Sequence, residues 1–402
     1  MEEWKEYKLG EVVNILDYKR VPLSSKERSK RKGVYPYYGA QGVIDYIDDY
    51  IFNGTYLLIA EDGENLKSQK QNIAQLATGK FWVNNHAHIV ESNGLCDIRY
   101  LCYLLNTMDV SGYITGSAQP KLNQANMSSI SVILPSVTIQ ERIANFLSSF
   151  DDKIEVNRRI NDNLEQQAQA LFKSWFVDFE PFLDKPSGKA ERKAGEFVES
   201  ELGMIPKGWR VESLSSIADY INGLAMQKYR PEEGEEGLPV LKIRELGQGN
   251  IDDNSELCSP SLIGDKYIIK DGDIIFSWSG TLMVKVWCGG KCGLNQHLFV
   301  VVPKDYQKWF VYQWTKYHLD NFIRIAKDKA VTMGHIKRGE LDKAKVIIPD
   351  TDILANIDAL MEPIFNQTIS NEIESRRLAT LRDTLLPKLM SGEIKVNEVD
   401  SL

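Results

Sequence analysis

Apolar runs long enough to cross a membrane are missing from this sequence: none approaches the roughly 18 residues a span requires. The opening residues, Met1-Glu-Glu-Trp-Lys-Glu-Tyr-Lys8, are charged and hold no apolar stretch of the kind a secretion signal needs. A cytoplasmic protein is expected. Cysteine is scarce as well. Five thiols (Cys96, Cys102, Cys258, Cys288, Cys292) in 402 residues are too few, and odd in number, for a disulfide framework, so they are expected to be reduced. Net positive charge is also lacking. Forty-eight Lys+Arg against 56 Asp+Glu leave −8, which counts against a uniformly basic nucleic-acid binder. What is present is a globular composition, 43% hydrophobic and 26% charged, sufficient for two or three domains of about 100–200 residues each.

Catalytic signatures are missing too. Ser187-Gly-Lys-Ala190 lacks the leading Gly and the hydroxyl of a phosphate-cradling loop. No Asn/Asp-Pro-Pro-aromatic motif of an amino-methyltransferase occurs, and Gly39-Ala-Gln-Gly42 reads as a turn. Pro349-Asp350 and Glu393-Ile-Lys395 imitate the outline of a nuclease site, but a long helical segment separates them. His86-x-His88 would put two imidazoles on one strand face with no third ligand nearby, and Cys288-x-x-x-Cys292 with His297 supplies only one close ligand pair. Packing or hydrogen bonding is the expected role of each, with no catalytic residue and no metal.

The chain repeats itself. A shift of 214 sets Ser131-Val-Ile-Leu-Pro135 on Lys345-Val-Ile-Ile-Pro349 and Asn157 on Asn371; a shift of 211 sets Asn84-Asn-His86 on Asn295-Gln-His297; one of 205 sets Trp4 and Leu9 on Trp209 and Leu214. Residues 1–182 carry 19 basic and 23 acidic residues, and residues 183–402 carry 29 and 33, so the halves match in net charge. Each half reads as a mixed α/β globule, with short apolar runs such as Tyr56–Ala60, Ile274–Phe276 and His297–Val302, followed by one long helix.

The helices carry a 3.5-residue seam. In the first, Thr138-Ile-Gln-Glu141 reads as a capping box, and Ile143, Leu147, Phe150, Ile154, Asn157, Asn161, Leu164, Ala168, Leu171 and Trp175 recur in steps of four and three. In the second the seam runs Ile357, Met361, Ile364, Thr368, Asn371, Ser375, Leu378, Arg382, Leu385 and Leu389. An apolar seam sustained for about five heptads is that of a coiled coil. The two are expected to pair antiparallel as a spacer of roughly 57 Å with a globule at each end, the Asn residues fixing register. The alternative is that each helix packs only on its own globule. The expected division is 1–137 first domain, 138–181 central helix, 182–203 polar linker, 204–350 second domain, 351–391 C-terminal helix and 392–402 tail.

Local basic patches offset the overall acidity. Lys19, Arg20, Lys26, Arg28, Lys30, Arg31 and Lys32 face a single acid, Glu27, within that stretch, with Tyr35, Tyr37 and Tyr38 following. In the second half Arg324, Lys327, Lys329, Lys337, Arg338, Lys343 and Lys345 face Asp328, Glu340 and Asp342. Each is a candidate DNA surface or, alternatively, a solvated loop.

Several phrases then resemble a known family, the DNA sequence-specificity subunit of Type I restriction–modification systems. They are Tyr35-Pro-Tyr-Tyr-Gly-Ala40 through Leu58-Ile-Ala-Glu-Asp-Gly63, Asn84-Asn-His-Ala-His88, Gly116-Ser-Ala-Gln-Pro-Lys-Leu122, Leu171–Phe182, Gly203-Met-Ile-Pro-Lys-Gly-Trp209 and Leu386-Pro-Lys-Leu-Met-Ser-Gly392. The resemblance covers nearly the whole chain. It implies two tandem mixed α/β (α+β) target-recognition domains related by a pseudo-twofold repeat, with an antiparallel coiled coil between them. The chain would be a non-catalytic reader of a bipartite site in double-stranded DNA, contacting it through the first basic cluster with Lys121, Lys337 and Arg338. Trp175, Phe176 and Phe179 would dock partners. Two methyltransferase subunits would carry S-adenosylmethionine for adenine-N6 methylation, endonuclease–translocase subunits would use ATP and Mg, and this chain would hold no cofactor. A protein-interaction scaffold with duplicated binding domains is the alternative that the net charge of −8 leaves open.

Overall fold

A computed structural model describes residues 4–68, 71–116, 119–184, 191–192, 196–252, 254–328 and 334–396. Among these residues no helix is long and apolar enough to cross a membrane. The chain divides into two compact units, residues 1–152 with 379–402, and residues 153–378.

The first unit is built on a six-stranded sheet. Its order is Val13–Ile15, Ala87–Ser92, Phe52–Ala60, Ala74–Val83, Lys32–Gly39, Gly42–Ile47, antiparallel except where Lys32–Gly39 meets Ala74–Val83. Phe52–Ala60 alternates buried and exposed at its start and is buried on both faces from Leu57 on, as a central strand must be once a helix covers its outer side. That helix is Ile98–Thr107. The Asp97 side chain caps it by accepting the Arg99 and Tyr100 N–H groups, and it buries Tyr100, Leu101, Leu104 and Leu105. A separate antiparallel pair, Lys5–Lys8 with Ser131–Leu134, ties the start of the globule to its end. Two residues after Pro135 the helix Val137–Phe176 begins. Thr138 lies inside its first turn rather than at a cap. The globule is instead anchored by buried Gln140, whose amide donates to the Pro135 carbonyl (2.9 Å) and accepts the Asp97 N–H (3.0 Å).

The second unit repeats the plan with different sheets. Ala218–Asn222, Leu298–Pro303, Asp273–Ser277 and Met283–Trp287 form one antiparallel four-stranded sheet, and Leu257–Cys258, Leu238–Leu241, Cys292–Leu294 and Ile268–Ile269 a second. Arg210–Ser213 pairs with Lys345–Ile348 as Lys5–Lys8 does with Ser131–Leu134, so the shifts of 205 and 214 are reproduced in one ladder. The expected linker is partly structured. Phe197–Ser200 and Gly203–Pro206 form a hairpin, because Phe197 packs on Phe179 (6.0 Å between rings) and Gly203 supplies a left-handed turn, φ 89°. The rest of that linker, with Ser187–Ala190 in it, falls largely outside the described residues.

Each long helix contributes to both units. In the second, Asn157 donates to the Asn371 carbonyl (3.4 Å), Glu374 (2.7 Å) and Ser375 (3.3 Å), and Asn161 to the Thr368 carbonyl and Glu372 (3.2 Å each). Asn371 donates in turn to Asn161 Oδ1 (2.8 Å). Partners fall in number as the first helix advances, so within this unit the pair is antiparallel. In the first unit Arg382 bonds Asp151, and Ile143 and Leu147 share a core with Leu389 and Met390. The helices therefore do not fold back only on their own globules. None of the expected seam residues, including Phe150, Ile154, Leu164, Leu171, Ile364, Leu378 and Leu385, is exposed, and Asn157, Asn161 and Asn371 are buried. The first helix ends at Phe176, five residues before the expected boundary: the Val177 and Asp178 N–H groups both bond the Lys173 carbonyl, Phe179 turns left-handed (φ 55°) and Pro181 follows.

Candidate nucleic-acid interface

In the first unit the loop phrases that carried the resemblance come together around Glu61. The Glu61 N–H donates to the His86 carbonyl (2.9 Å), the Leu122 N–H to the Glu61 carbonyl (2.8 Å), and the His86 N–H to Asn84 Oδ1 (2.8 Å). A bridge joins Asp62 to Lys121. Gly116 makes this possible: its φ is 85°, and a Cβ there would stand 2.3 Å from the Gln119 carbonyl oxygen. Residues 117–118 of that phrase lie outside the described set.

Side chains fill this frame with an ion network. His88, 1% exposed, points Nδ1 at Asp17 (2.5 Å) and Nε2 at the Leu122 carbonyl (2.8 Å). Both neighbouring oxygens can accept a hydrogen bond from the ring. Arg20 bridges Asp17 (3.1 Å) and Glu61 (2.8 Å), Lys121 adds a second cation on Glu61 (3.2 Å), and His86 bonds Asp62 (2.7 Å). Burial alone would raise the Asp17 carboxyl, but the His88 hydrogen bond, the Ile89 N–H and the charges of His88 and Arg20 hold it below its ordinary value. Glu61 is likewise held low against burial by Arg20, Lys121 and His88. The carboxylates of Asp17 and Glu61 with His88 form a cluster of possible metal ligands that spacing could not reveal, since Asp17 comes from a distant segment. Arg20 and Lys121 already face these carboxylates, so a metal ion would have to displace two cations.

The second unit has the same backbone frame. The Trp278 N–H donates to the His297 carbonyl (3.4 Å), Ile336 N–H to the Trp278 carbonyl (3.1 Å), His297 N–H to Asn295 Oδ1 (3.2 Å), and Ser279 bridges to His335. Trp278 thus stands where Glu61 does, Ser279 for Asp62, His297 for His86 and His335 for Lys121. The chemistry differs. The sequence shifts put Asn222 and Phe299 at the places of Asp17 and His88; Trp278 donates to Asn222 (2.9 Å) and packs on Phe299 (5.7 Å), while Ser279 meets His297 (3.0 Å). One scaffold presents a charged cluster in the first unit and an aromatic–hydroxyl cluster in the second. Burial pushes the Cys288 thiol up to about 12 and Cys292 higher still, and His297 is engaged with Ser279.

The basic clusters are less open than their sequence implies. Arg20 is spent in the ion network. Arg28 pairs with Asp45 (3.2 Å) above the Tyr37 ring, Arg31 with Asp48 (2.9 Å) above Trp82, and Lys32 with Asp45 (2.6 Å). Asp45 and Asp48 come from the neighbouring Gly42–Ile47 strand and the turn after it, which a count along residues 19–32 cannot see. Lys19, Lys26 and Lys30 remain exposed. In the second cluster Lys345 pairs with Glu201 (3.0 Å), Lys343 faces Glu340 (3.5 Å), Arg324 bonds Asn321 (2.8 Å) and Arg338 donates to the Tyr220 carbonyl (2.9 Å). Lys337 is exposed, and Lys329 lies outside the described residues.

Two of the three expected docking residues, Phe176 and Phe179, are buried within the chain itself. Phe176 is 1% and Phe179 7% exposed, inside an aromatic core with Phe172, Trp209, Phe310 and Trp314. Trp175 is half-buried against Phe182. The rings of Phe172, Phe176, Phe179 and Trp209 meet in one core, and burial of each contributes about 1.5–3 kcal/mol.

Taken together, fold and site define a tandem-repeat protein in which one loop frame is reused with two chemistries. Residues 1–166 and 206–379 match the family described as Type I restriction modification DNA specificity domain. The chain belongs to that family. It is 27% identical to the Type I restriction enzyme MjaIX specificity subunit of Methanocaldococcus jannaschii over 99% of this chain and 98% of that one. It is 26% identical to the HindI specificity subunit of Haemophilus influenzae over 98% and 100%. The crystal structure of a Type I restriction–modification S subunit from M. genitalium superimposes with a TM-score of 0.59 at 15% identity, covering 96% of each chain, and so shares the fold.

Proposed function

We propose that this chain is the non-catalytic DNA specificity subunit of a Type I restriction–modification complex. Each unit reads one half of a bipartite site in double-stranded DNA, and the chain positions two methyltransferase subunits for adenine-N6 methylation, with endonuclease–translocase subunits joining for restriction. S-adenosylmethionine, ATP and Mg belong to those partners, which flip and modify the base, and the complex works in the cytoplasm.

The observation that carries the reading is the shared frame with unlike side chains. Two equivalent loop clusters bearing Glu61, Asp62, His86 and Lys121 in one unit and Trp278, Ser279, His297 and His335 in the other offer different donor and acceptor patterns to base edges. Such a pair supports recognition of two dissimilar half-sites. Footprinting of the chain with its methyltransferase on a library of duplexes tests it: two short specified segments separated by unspecified base pairs are expected, and a single contiguous segment would overturn the bipartite reading.

A further inference from the structure

The repeated loop frame holds a further pair of equivalent positions, which chain order hides. In the first unit the strand Lys32–Gly39 meets Ala74–Val83 in parallel with Tyr38 beside Val83, and the Tyr38 carbonyl accepts the Asn84 N–H (3.1 Å). In the second unit Leu238–Leu241 meets Cys292–Leu294 in parallel with Leu241 beside Leu294, and the Leu241 carbonyl accepts the Asn295 N–H (3.1 Å). Both strands therefore enter the frame at the same place. The residues that follow them meet the same loop glycine. A Cβ at Gly63 (φ 129°) would stand 3.6 Å from Gln41 Nε2, and one at Gly280 (φ 65°) 3.4 Å from Ile243 Cδ1. Gln41 and Ile243 are thus counterparts, and they differ in chemistry as Asp62 and Ser279 do one residue before each glycine.

Gln41 is placed to read. It lies in the two-residue turn between Lys32–Gly39 and Gly42–Ile47 and is exposed to solvent, and among the described residues its carboxamide has no hydrogen-bond partner. Glu61, Asp62, His86 and Lys121, by contrast, hold ionic partners within the chain. Gln41 keeps both a donor and an acceptor open beside them. Asp62 and Glu64 flank the glycine that it meets, so a phosphate brought to this turn would approach two carboxylates, whereas a base edge carries no net charge. A carboxamide sets its N–H next to its carbonyl oxygen, the pattern that donates to N7 and accepts from N6 of adenine in the major groove. Ile243 has neither group. We propose that Gln41 is a base-reading residue of the first unit, paired with the N6 and N7 edge of an adenine in its half-site, and that the second unit reads without an equivalent contact.

This role rests on the DNA-specificity reading, and selection of bound duplexes from a randomised library by the full chain with its methyltransferase tests the two separately. The parent is expected to require an A·T pair at a position where Gln41→Leu accepts any base pair, the preference there falling by roughly fivefold or more while every other position is kept. Gln41→Arg should move that same position to G·C, because a guanidinium pairs with O6 and N7 of guanine. A role in holding the turn would not produce such an exchange. Identical selected sequences from the parent and both variants would overturn the role of Gln41 and leave the DNA-specificity reading standing. A fall in affinity from Gln41→Leu that is equal for all sequences would overturn it too, assigning the residue to the sugar–phosphate backbone. No specified segment with the parent itself would overturn the DNA-specificity reading and the role of Gln41 together. If Gln41→Leu fails to fold, the exchange in Gln41→Arg decides.

Discussion

At the residue scale, ion pairing separates charges that can meet phosphates from charges already spent. Lys19, Lys26 and Lys30 are exposed, whereas Arg28, Arg31 and Lys32 are matched by Asp45 and Asp48. Replacing the three exposed lysines with Ala is expected to reduce the salt slope of DNA affinity by up to about 0.9 for each phosphate no longer neutralised. Arg31→Ala should leave it nearly unchanged; equilibrium binding of the methyltransferase complex across a salt series measures both. The Asp17–His88–Glu61 network predicts an acid limit. Both carboxyls titrate lower folded than unfolded, so their stabilisation of the first unit is complete above about pH 4.5, the ordinary Glu value, and is lost as pH falls through the depressed folded values. Thermal melts between about pH 3 and 7 should show this fall, and Asp17→Asn with Glu61→Gln should make it shallower.

At the element scale, the seam asparagines are the points where two long helices commit to one register. Asn161 accepts from Asn371 and donates to the Thr368 carbonyl and Glu372, so Asn161→Ala strands a buried Asn371 amide. A loss of about 1–3 kcal/mol in urea unfolding is expected. Adding Asn371→Ala should cost less than the sum of the single changes, because the two share one hydrogen bond. The heptads were legible in the sequence since a 3.5-residue period is local; the helix end at Phe176 was not, because a left-handed Phe179 is held by the core it enters rather than by its own propensity.

At the scale of the whole molecule, duplication gives two readers a common frame and separate chemistry. Asp62→Ala with Lys121→Ala is expected to relax base preference in one half-site only, and His335→Ala in the other only, as read by selection of bound duplexes from a randomised library. Each mismatched base pair in such a site is ordinarily worth about 1–3 kcal/mol. Loss of preference in both halves from either change would mean the units do not read independently. The acidity that left a scaffold open, −8 overall, is reconciled by local ion pairing: much of the basic stretch is neutralised by Asp45 and Asp48, so the exposed unpaired lysines, and not the chain's sum, set the surface that DNA could meet.

Repetition, helix seams, the want of catalytic motifs and the family phrases all followed from order along the chain, because periodicity and internal similarity are read from residue order alone, without any distance in space. The meeting of Asp17, Glu61, His88 and Lys121, the neutralising aspartates of the next strand, and the burial of Phe176 and Phe179 were decided only by the tertiary structure. These are contacts between residues tens to more than a hundred positions apart, where chain order carries no distance and only the packed fold sets which charges meet and which rings leave the surface.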